Sequence, residues 1–486
     1  MFLGIDIGTS AVKVVAVRHD TGVMARSDVP LSVARPQPLW SEQSPDDWWV
    51  ATCEAVSAIP KKIRDQIEGV GLSGQMHGAV LLDEYDDPLR PAILWNDGRS
   101  HQECLEFERR EPQSRVLSGN LAMPGFTAPK LLWLKTHEPD LFEKTRKVLL
   151  PKDFIRLKLT GEHVAEMSDA SGTLWLNTRE RKWSDELLSA SGLDRSHMPR
   201  LVEGSEIAAQ ISKSVASELG IPIVPVVGGG GDNAAGAVGV GVNSPGQAFL
   251  SLGTSGVIFL AGDSCLPSPE TGLHAFCHAL PGKWHQMSVM LSAASCLDWA
   301  AGLTRANSVA DFVQSAEQRG RLDGEEIFLP YLSGERTPHN DPKARGVFFG
   351  MGHDTDAAAL SQSVLEGVAF GFADGFQTLV DAGGHFDSIS VIGGGSRSAY
   401  WGRILSAALN KPLSFREDSD LGPAFGAARL AMIGAGGLSE TEVCIAPPEI
   451  SCVEPDSHDV EQLAQKRRHF QNIYQSLKQQ FQEASV

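Results

Sequence analysis

Basic side chains are in short supply. The chain holds 42 Lys and Arg against 60 Asp and Glu, a net charge of -18. An acidic surface repels nucleic acid and anionic membranes, which excludes both as general partners. The basic run Lys466, Arg467, Arg468 reads as a solvated helix face. An anionic ligand here needs a local positive field or a metal ion. Cysteine is also sparse: the seven are Cys53, Cys104, Cys265, Cys277, Cys296, Cys444 and Cys452, with no CxxC pair. That excludes a disulfide scaffold or zinc ribbon and suits a reducing compartment. His274, Cys277 and His278 lack a second Cys/His pair at finger spacing, so structural zinc is not expected. No uncharged apolar run approaches membrane-spanning length. The start, MFLGIDIGTS, has no basic residue and sets Asp6 inside its apolar stretch, unlike a signal peptide. The expected location is the cytoplasm. GxxxxGK(S/T), HRD and DFG are missing, which excludes a P-loop enzyme and a protein kinase.

What is present is an ordinary globular composition, 42% hydrophobic and 21% charged. At 486 residues, two domains or more are expected. Leu3, Ile5 and Ile7 alternate, GTS turns, and Val12 to Val17 continue apolar, so the chain opens as an antiparallel meander. Ser44, Pro45, Asp46 and Asp47 start a helix whose Trp49, Cys53 and Val56 should face a core. Alternating helices and strands follow, an α/β class. LGIDIGTSAV is echoed by FLSLGTSGV, with Gly8 and Gly253 equivalent and 245 residues apart, close to half the chain. This predicts two duplicated domains, residues 1–243 and 244–486, with NSPG (Asn243 to Gly246) supplying turn chemistry at the join. Leu463, Phe470, Ile473, Leu477 and Phe481 predict a closing helix packed on the body.

The paired GTS turns can aim successive backbone N–H groups at a phosphate without a basic side chain. Each alone is more often a plain hairpin; as a pair they suggest a cleft with one loop from each domain. IGGGSRS (Ile392 to Ser398) follows a strand and would let a planar base approach, though by itself it reads as a packed strand-to-helix turn. Asp6 beside bound phosphate calls for Mg²⁺ between them. Asp232 ends the run GGGGD; it is either a helix N-cap or a general base. Four glycines exceed what a cap needs, which favours a backbone opened to a ligand. GQMHG and WNDGR offer Gln75, His77, Asn96 and Asp97 to sugar hydroxyls, although His77 could equally be a satisfied structural histidine. GVGLSG (Gly69 to Gly74) matches a dinucleotide fingerprint, but strand and loop follow it instead of a helix.

With these motifs assembled, the chain resembles the FGGY family of carbohydrate kinases over nearly its full length. The likeness rests on GIDIGTSAVK, SGQMHG, PAILWNDGRS, MPGFTAPKLLWLKTHEPD, GGGDNAAGAVGVG, LSLGTSGV, LPYLSGERTPHNDP, GVFFG with VLEGVAFG, and IGGGSRS. The first family signature is matched through Thr127, Lys130, Trp133 and His137; the second departs at Ala359. The resemblance implies two duplicated actin-like ATPase domains of ribonuclease H-like fold, with ATP and Mg²⁺ in the cleft between them. It implies transfer of the γ-phosphoryl group to the 5-hydroxyl of D-xylulose, with other ketopentoses or polyols such as ribulose and glycerol as the alternative. Asp232 would be the catalytic base, and Asp6 would lie near metal and phosphates, both reaching Mg²⁺ through water. Thr9, Ser10 and Lys13 would form the first phosphate loop, Gly253 and Thr254 the second, and Gly394 and Gly395 the adenosine loop. Met76 and His77 would contact the sugar, with Gln75, Asn96, Asp97 and Asn233 as further contacts. Family members are commonly dimers, so a homodimer is an implied assembly. An actin-like ATPase without a sugar substrate would explain the GTS pair but not QMH or WNDGR.

Overall fold

The structure, a computed structural model, describes residues 1–320, 322–417 and 422–483. Two seven-stranded sheets organise it. In the first, the strands run in the order Gly22–Pro30, Ala11–Arg18, Phe2–Ile7, Gly69–Gly74, Pro225–Val227, Ile207–Gln210, with Gly230–Gly231 added beside Gly69–Gly74. In the second, the order is His274–Cys277, Trp284–Met290, Gly256–Gly262, Gln247–Leu252, Ser388–Ile392, Leu413–Arg416, Glu449–Val453.

The echo in sequence is an echo in topology. Phe2–Ile7 pairs antiparallel with Ala11–Arg18 and parallel with Gly69–Gly74. Gln247–Leu252 pairs antiparallel with Gly256–Gly262 and parallel with Ser388–Ile392. In both sheets the strand after the GTS turn then pairs antiparallel with a third. The two GTS turns therefore sit at equivalent corners of duplicated α/β lobes.

Each sheet buries its own core. Leu3, Ile5, Val14 and Leu72 meet Trp48 and Val56 under the first. The helix Pro45–Ala58 buries Trp48, Ala51, Thr52, Ala55 and the expected Val56, while the expected Trp49 and Cys53 are half-buried at the edge of the same core, so the inner face is centred one residue away from them. Leu250, Ile258 and Val391 meet the long apolar helix Ala357–Asp381 at the second sheet. The closing helix Ser457–Glu483 adds Leu463, Phe470, Tyr474 and Phe481 to that core.

One helix from the second half of the chain crosses to the first lobe. Gly422–Gly434 lies on the strands Phe2–Ile7 and Gly69–Gly74 and on the helix Asp232–Gly239. Its backbone comes so close that a Cβ on Gly71 would stand 1.8 Å from Ala427 O, and one on Gly426 would stand 1.7 Å from Ala235 O. Small residues in GPAFGAARLA are thus explained by helix-on-sheet contact. The same contact accounts for the central glycine of GVGLSG. Among the described residues, no helix is long and apolar enough to cross a membrane.

Candidate active site

Asp232 is the first residue of the helix Asp232–Gly239, so its carboxylate sits at the positive end of the helix dipole. Its Oδ1 accepts from the Asn233 backbone N–H at 2.7 Å and from Asn233 Nδ2 at 2.9 Å. Asn233 therefore orients Asp232 through Oδ1, and neither of these bonds engages Oδ2. Burial pushes the Asp232 carboxyl up to about 6, against the pull of both Asn233 bonds. A carboxylate with that affinity can take a proton and release it near neutral pH.

Asp6 lies in the middle of the first lobe, paired in register with Lys13 across the hairpin and with Ser73 across the parallel strand. Its carboxyl is pushed up to about 7, first by burial and then by the charge of Asp232, while Lys13 pulls it down. Asp6 Oδ1 is buried with no hydrogen-bond partner. Two neighbouring carboxylates, one with an orphaned buried oxygen, form a site that a hard divalent cation would relieve. Among the described residues no group of three or more His, Cys, Asp or Glu could hold a metal. That donor set suits Mg²⁺, which keeps waters and takes few protein carboxylates.

The glycines before Asp232 serve protein contacts. Gly229 has φ +76° and its missing Cβ would stand 1.9 Å from Leu72 O. At Gly228 it would meet Glu203 O at 2.3 Å, and at Gly231 the Met76 side chain at 2.9 Å. The expectation that the run is stripped bare for a ligand is corrected: it is stripped for the strand Gly69–Gly74 and its neighbours. The consequence for the site is indirect, because Met76 is brought against the residue preceding Asp232.

His77 holds φ +68°, a backbone region unfavourable for a residue with a Cβ. Three contacts hold it there. Its Nδ1 donates to Gly172 O at 2.7 Å, and its carbonyl accepts from Lys130 Nζ at 2.8 Å and Thr127 Oγ1 at 3.2 Å. Burial lowers the imidazole to about 3, so it is neutral. With Nδ1 carrying the proton, Nε2 presents a lone pair. Buried Lys130, itself lowered to about 7 by burial, was visible in the sequence as a signature residue but not as the prop of His77.

Other residues are engaged elsewhere. Gln75 Nε2 donates to Gln43 Oε1 at 2.8 Å, and Gln75 Oε1 accepts from Thr9 Oγ1 at 2.9 Å. Thr9 Oγ1 also accepts from Trp95 Nε1 at 3.0 Å. Asp97 is buried, binds Arg99 at 2.9 and 2.7 Å, and accepts from Ser41 N at 2.6 Å. Asn96 is exposed on a cavity of about 540 Å³ whose walls include Trp95 and Asp97 from one lobe and Glu335 and Arg336 from the other. Neither His77 nor Asp232 lines that cavity.

Ser10 and Lys13 are exposed at the first turn. At the second, Thr254 O accepts from Ala293 N at 2.9 Å and Ser295 Oγ at 2.8 Å, and Gly253 O from Ala294 N at 2.9 Å. The loop's carbonyls are thereby tied back into the protein. Gly394 is exposed, with nothing within 4 Å of an added Cβ; Gly395 would meet Trp401 at 2.6 Å. Of the pair expected to form an adenosine loop, one glycine is open and the other is required by packing. The side chains of Ser396 and Arg397 lie outside the described residues.

Duplicated lobes with matched GTS corners and a carboxylate pair in the first lobe define a phosphotransferase of the actin-like ATPase fold. The chain belongs to the FGGY family of carbohydrate kinases: the family's N-terminal domain matches residues 1–239 and its C-terminal domain residues 248–435. It is 50% identical over 481 residues to a xylulose kinase of Escherichia coli (strain K12), covering 98% of this chain and 99% of that one. It is 49% identical, with the same coverage, to a xylulose kinase of Klebsiella pneumoniae. The crystal structure of a xyloylose kinase from Brucella ovis superposes with a TM-score of 0.95 at 46% identity, covering 98% of this chain and 99% of that one.

Proposed function

We propose that this kinase transfers the γ-phosphoryl group of ATP to the 5-hydroxyl of D-xylulose, with Asp232 as general base. The observation that carries the reading is the placement of Asp232 at a helix start beside Asp6, with its Oδ2 unspent and Met76 packed against Gly231. The 50% identity to a xylulose kinase favours this sugar. Residues 1–243 then present the sugar contacts, the first phosphate loop and the base, while residues 244–486 present the second phosphate loop and the adenosine loop.

Asp232 Oδ2 accepts the hydroxyl proton as the sugar oxygen bonds to the γ-phosphorus. The bond from that phosphorus to the bridging oxygen breaks and ADP leaves. Asp6 and Asp232 would hold Mg²⁺ through water, and its charge would offset that of the phosphates. Backbone N–H groups of Thr9, Ser10, Gly253 and Thr254 cradle the phosphates, with Lys13 at the rim. Met76 and neutral His77 meet the sugar, Nε2 accepting from a hydroxyl. Asn96 reaches the sugar from the cavity wall once the lobes close and exclude water. Gln75, Asp97 and Asn233 act by holding their neighbours.

A coupled ADP-release assay over D-xylulose, D-ribulose and glycerol tests the substrate, and highest kcat/KM for either of the latter overturns it. Asp232→Asn should keep ATP and sugar binding yet lose roughly 10²–10⁴-fold in turnover. Loss of less than about tenfold would remove Asp232 from the role of base.

A further inference from the structure

We infer that Ser168, on the short helix Met167–Ser171, is a positioning residue that fixes Asp232 with respect to His77. This rests on the reading of Asp232 as base and His77 as a sugar contact. Ser168 is fully buried, and its Oγ accepts from the Gly231 backbone N–H at 3.0 Å, one residue before Asp232. The same hydroxyl donates to Glu166 Oε1 at 2.8 Å, so its orientation is set. Glu166 is itself clamped, its oxygens accepting from Ser168 N at 2.7 Å and Asp169 N at 2.8 Å.

Behind this bond stands a fully buried ion cluster. Lys152 Nζ lies 2.7 Å from Asp153, 2.9 Å from Asp169 and 3.5 Å from Glu166. Arg156 binds Asp153 at 2.6 Å, and its guanidinium also donates to Gly228 O. The glycine run is thus bolted at both ends, at Gly228 by Arg156 and at Gly231 by Ser168. Four consecutive residues without side chains have the greatest backbone freedom available, and these two bonds join the backbone bonds of Gly228 and Gly229 and the strand pairing of Gly230–Gly231 in removing it. Burying five ionisable side chains is weak as a source of stability, and its best use is to specify one geometry.

The other end of the helix Met167–Ser171 faces the sugar side. Gly172 O accepts from His77 Nδ1 at 2.7 Å, and a Cβ on Gly172 would stand 2.5 Å from the imidazole. Ser171 Oγ accepts from Cys277 N of the second lobe at 3.0 Å. Five residues therefore tie the backbone of the base, a sugar contact and the opposite lobe into one frame. A base misplaced by about 1 Å can cost roughly 10²-fold in rate.

The test is Ser168→Ala alongside Ser168→Thr, which retains the hydroxyl. With Ser168→Ala, kcat on D-xylulose should fall roughly 10- to 100-fold. KM for sugar and ATP should each stay within about twofold, the pattern of a transition-state loss. Ser168→Thr should recover most of the turnover. Thermal unfolding confirms that each variant is folded, and Ser168→Cys, close in volume and a poorer hydrogen-bonding group, replaces Ser168→Ala if that variant does not fold. If Asp232→Asn abolishes turnover while the Ser168 variant keeps kcat within about twofold of the parent, or if KM carries the whole loss, the positioning role is overturned and the base stands. If Asp232→Asn retains turnover, it is the base assignment that falls.

Discussion

Thr9 Oγ1 donates to Gln75 Oε1 at 2.9 Å, which joins the first GTS turn to the loop that carries Met76 and His77. Gln75 passes the connection on to Gln43, and Trp95 closes it from the other side. Gln75→Ala leaves buried polar groups without partners and should cost about 1–3 kcal/mol of stability, read from urea unfolding. Because the first GTS turn, the proposed phosphate cradle, loses its brace, KM for ATP should rise. The rank order of sugars in the coupled assay should be unchanged; a reordered ranking would show Gln75 touching the substrate.

Asp97 and Arg99 form a buried pair backed by Glu42, 2.7 Å from the same guanidinium. Asp97→Asn strands a cation only in part, since Glu42 remains. The expected loss is about 3 kcal/mol, the lower end of the range for breaking such pairs, measured by chemical unfolding. Sugar preference in the folded variant should match the parent.

Asp6 and Asp232 are raised to about 7 and about 6, both chiefly by burial, with the charge of Asp232 adding to the rise at Asp6. Both values lie above the 3.8 of an ordinary aspartate, so the fold binds more protons and loses stability as pH rises from about 4 to about 7. Magnesium held between ionised carboxylates would return that loss. Added Mg²⁺ should raise the unfolding temperature at pH 8 and leave it nearly unchanged at pH 5. The acid limb of kcat/KM should fall between about pH 6 and 7 and move lower as Mg²⁺ increases. Equal Mg²⁺ effects at both pH values would argue against a metal at this pair.

Gly426 meets the helix Asp232–Gly239, where an added methyl would stand 1.7 Å from Ala235 O. Backbone cannot yield as a side chain can, so Gly426→Ala should cost about 3 kcal/mol or more. Gly236 and Gly302, helical and with nothing within 4 Å of an added Cβ, are internal comparisons at which Ala should be neutral or stabilising.

Much of the architecture was legible because it repeats. The GTS turns at Gly8 and Gly253 announced a duplication, and strand pairing reproduces it to the parallel neighbour. Asp232, Asp6 and His77 were legible as chemistry out of place: a carboxylate after glycines, another inside a strand, a histidine in a loop. What was illegible depended on contacts distant in sequence. Gly228, Gly229, Gly230 and Gly231 answer to Glu203, Leu72, Ala279 and Met76, which no local pattern relates to them. Ser168 reaches Gly231 across 63 residues, and nothing in MSDAS marks it out. Gln75 and Asp97 looked like ligand contacts because hydrogen-bonding capacity is visible in sequence, whereas its consumption by Gln43, Thr9, Arg99 and Ser41 is not. Along the first helix, a one-residue shift of the inner face exchanged Trp49 for Trp48, within the tolerance of a 3.6-residue period.

The crossing helix Gly422–Gly434 imposes an order on synthesis. The strands Phe2–Ile7 and Gly69–Gly74 leave the ribosome well before the helix that covers them. Until it arrives, the trench above Gly4 and Gly71 stays uncovered, an apolar surface open to chaperones and to neighbouring nascent chains. That face of the first sheet is sealed only after most strands of the second sheet have been made, so the first lobe cannot complete its packing alone during translation.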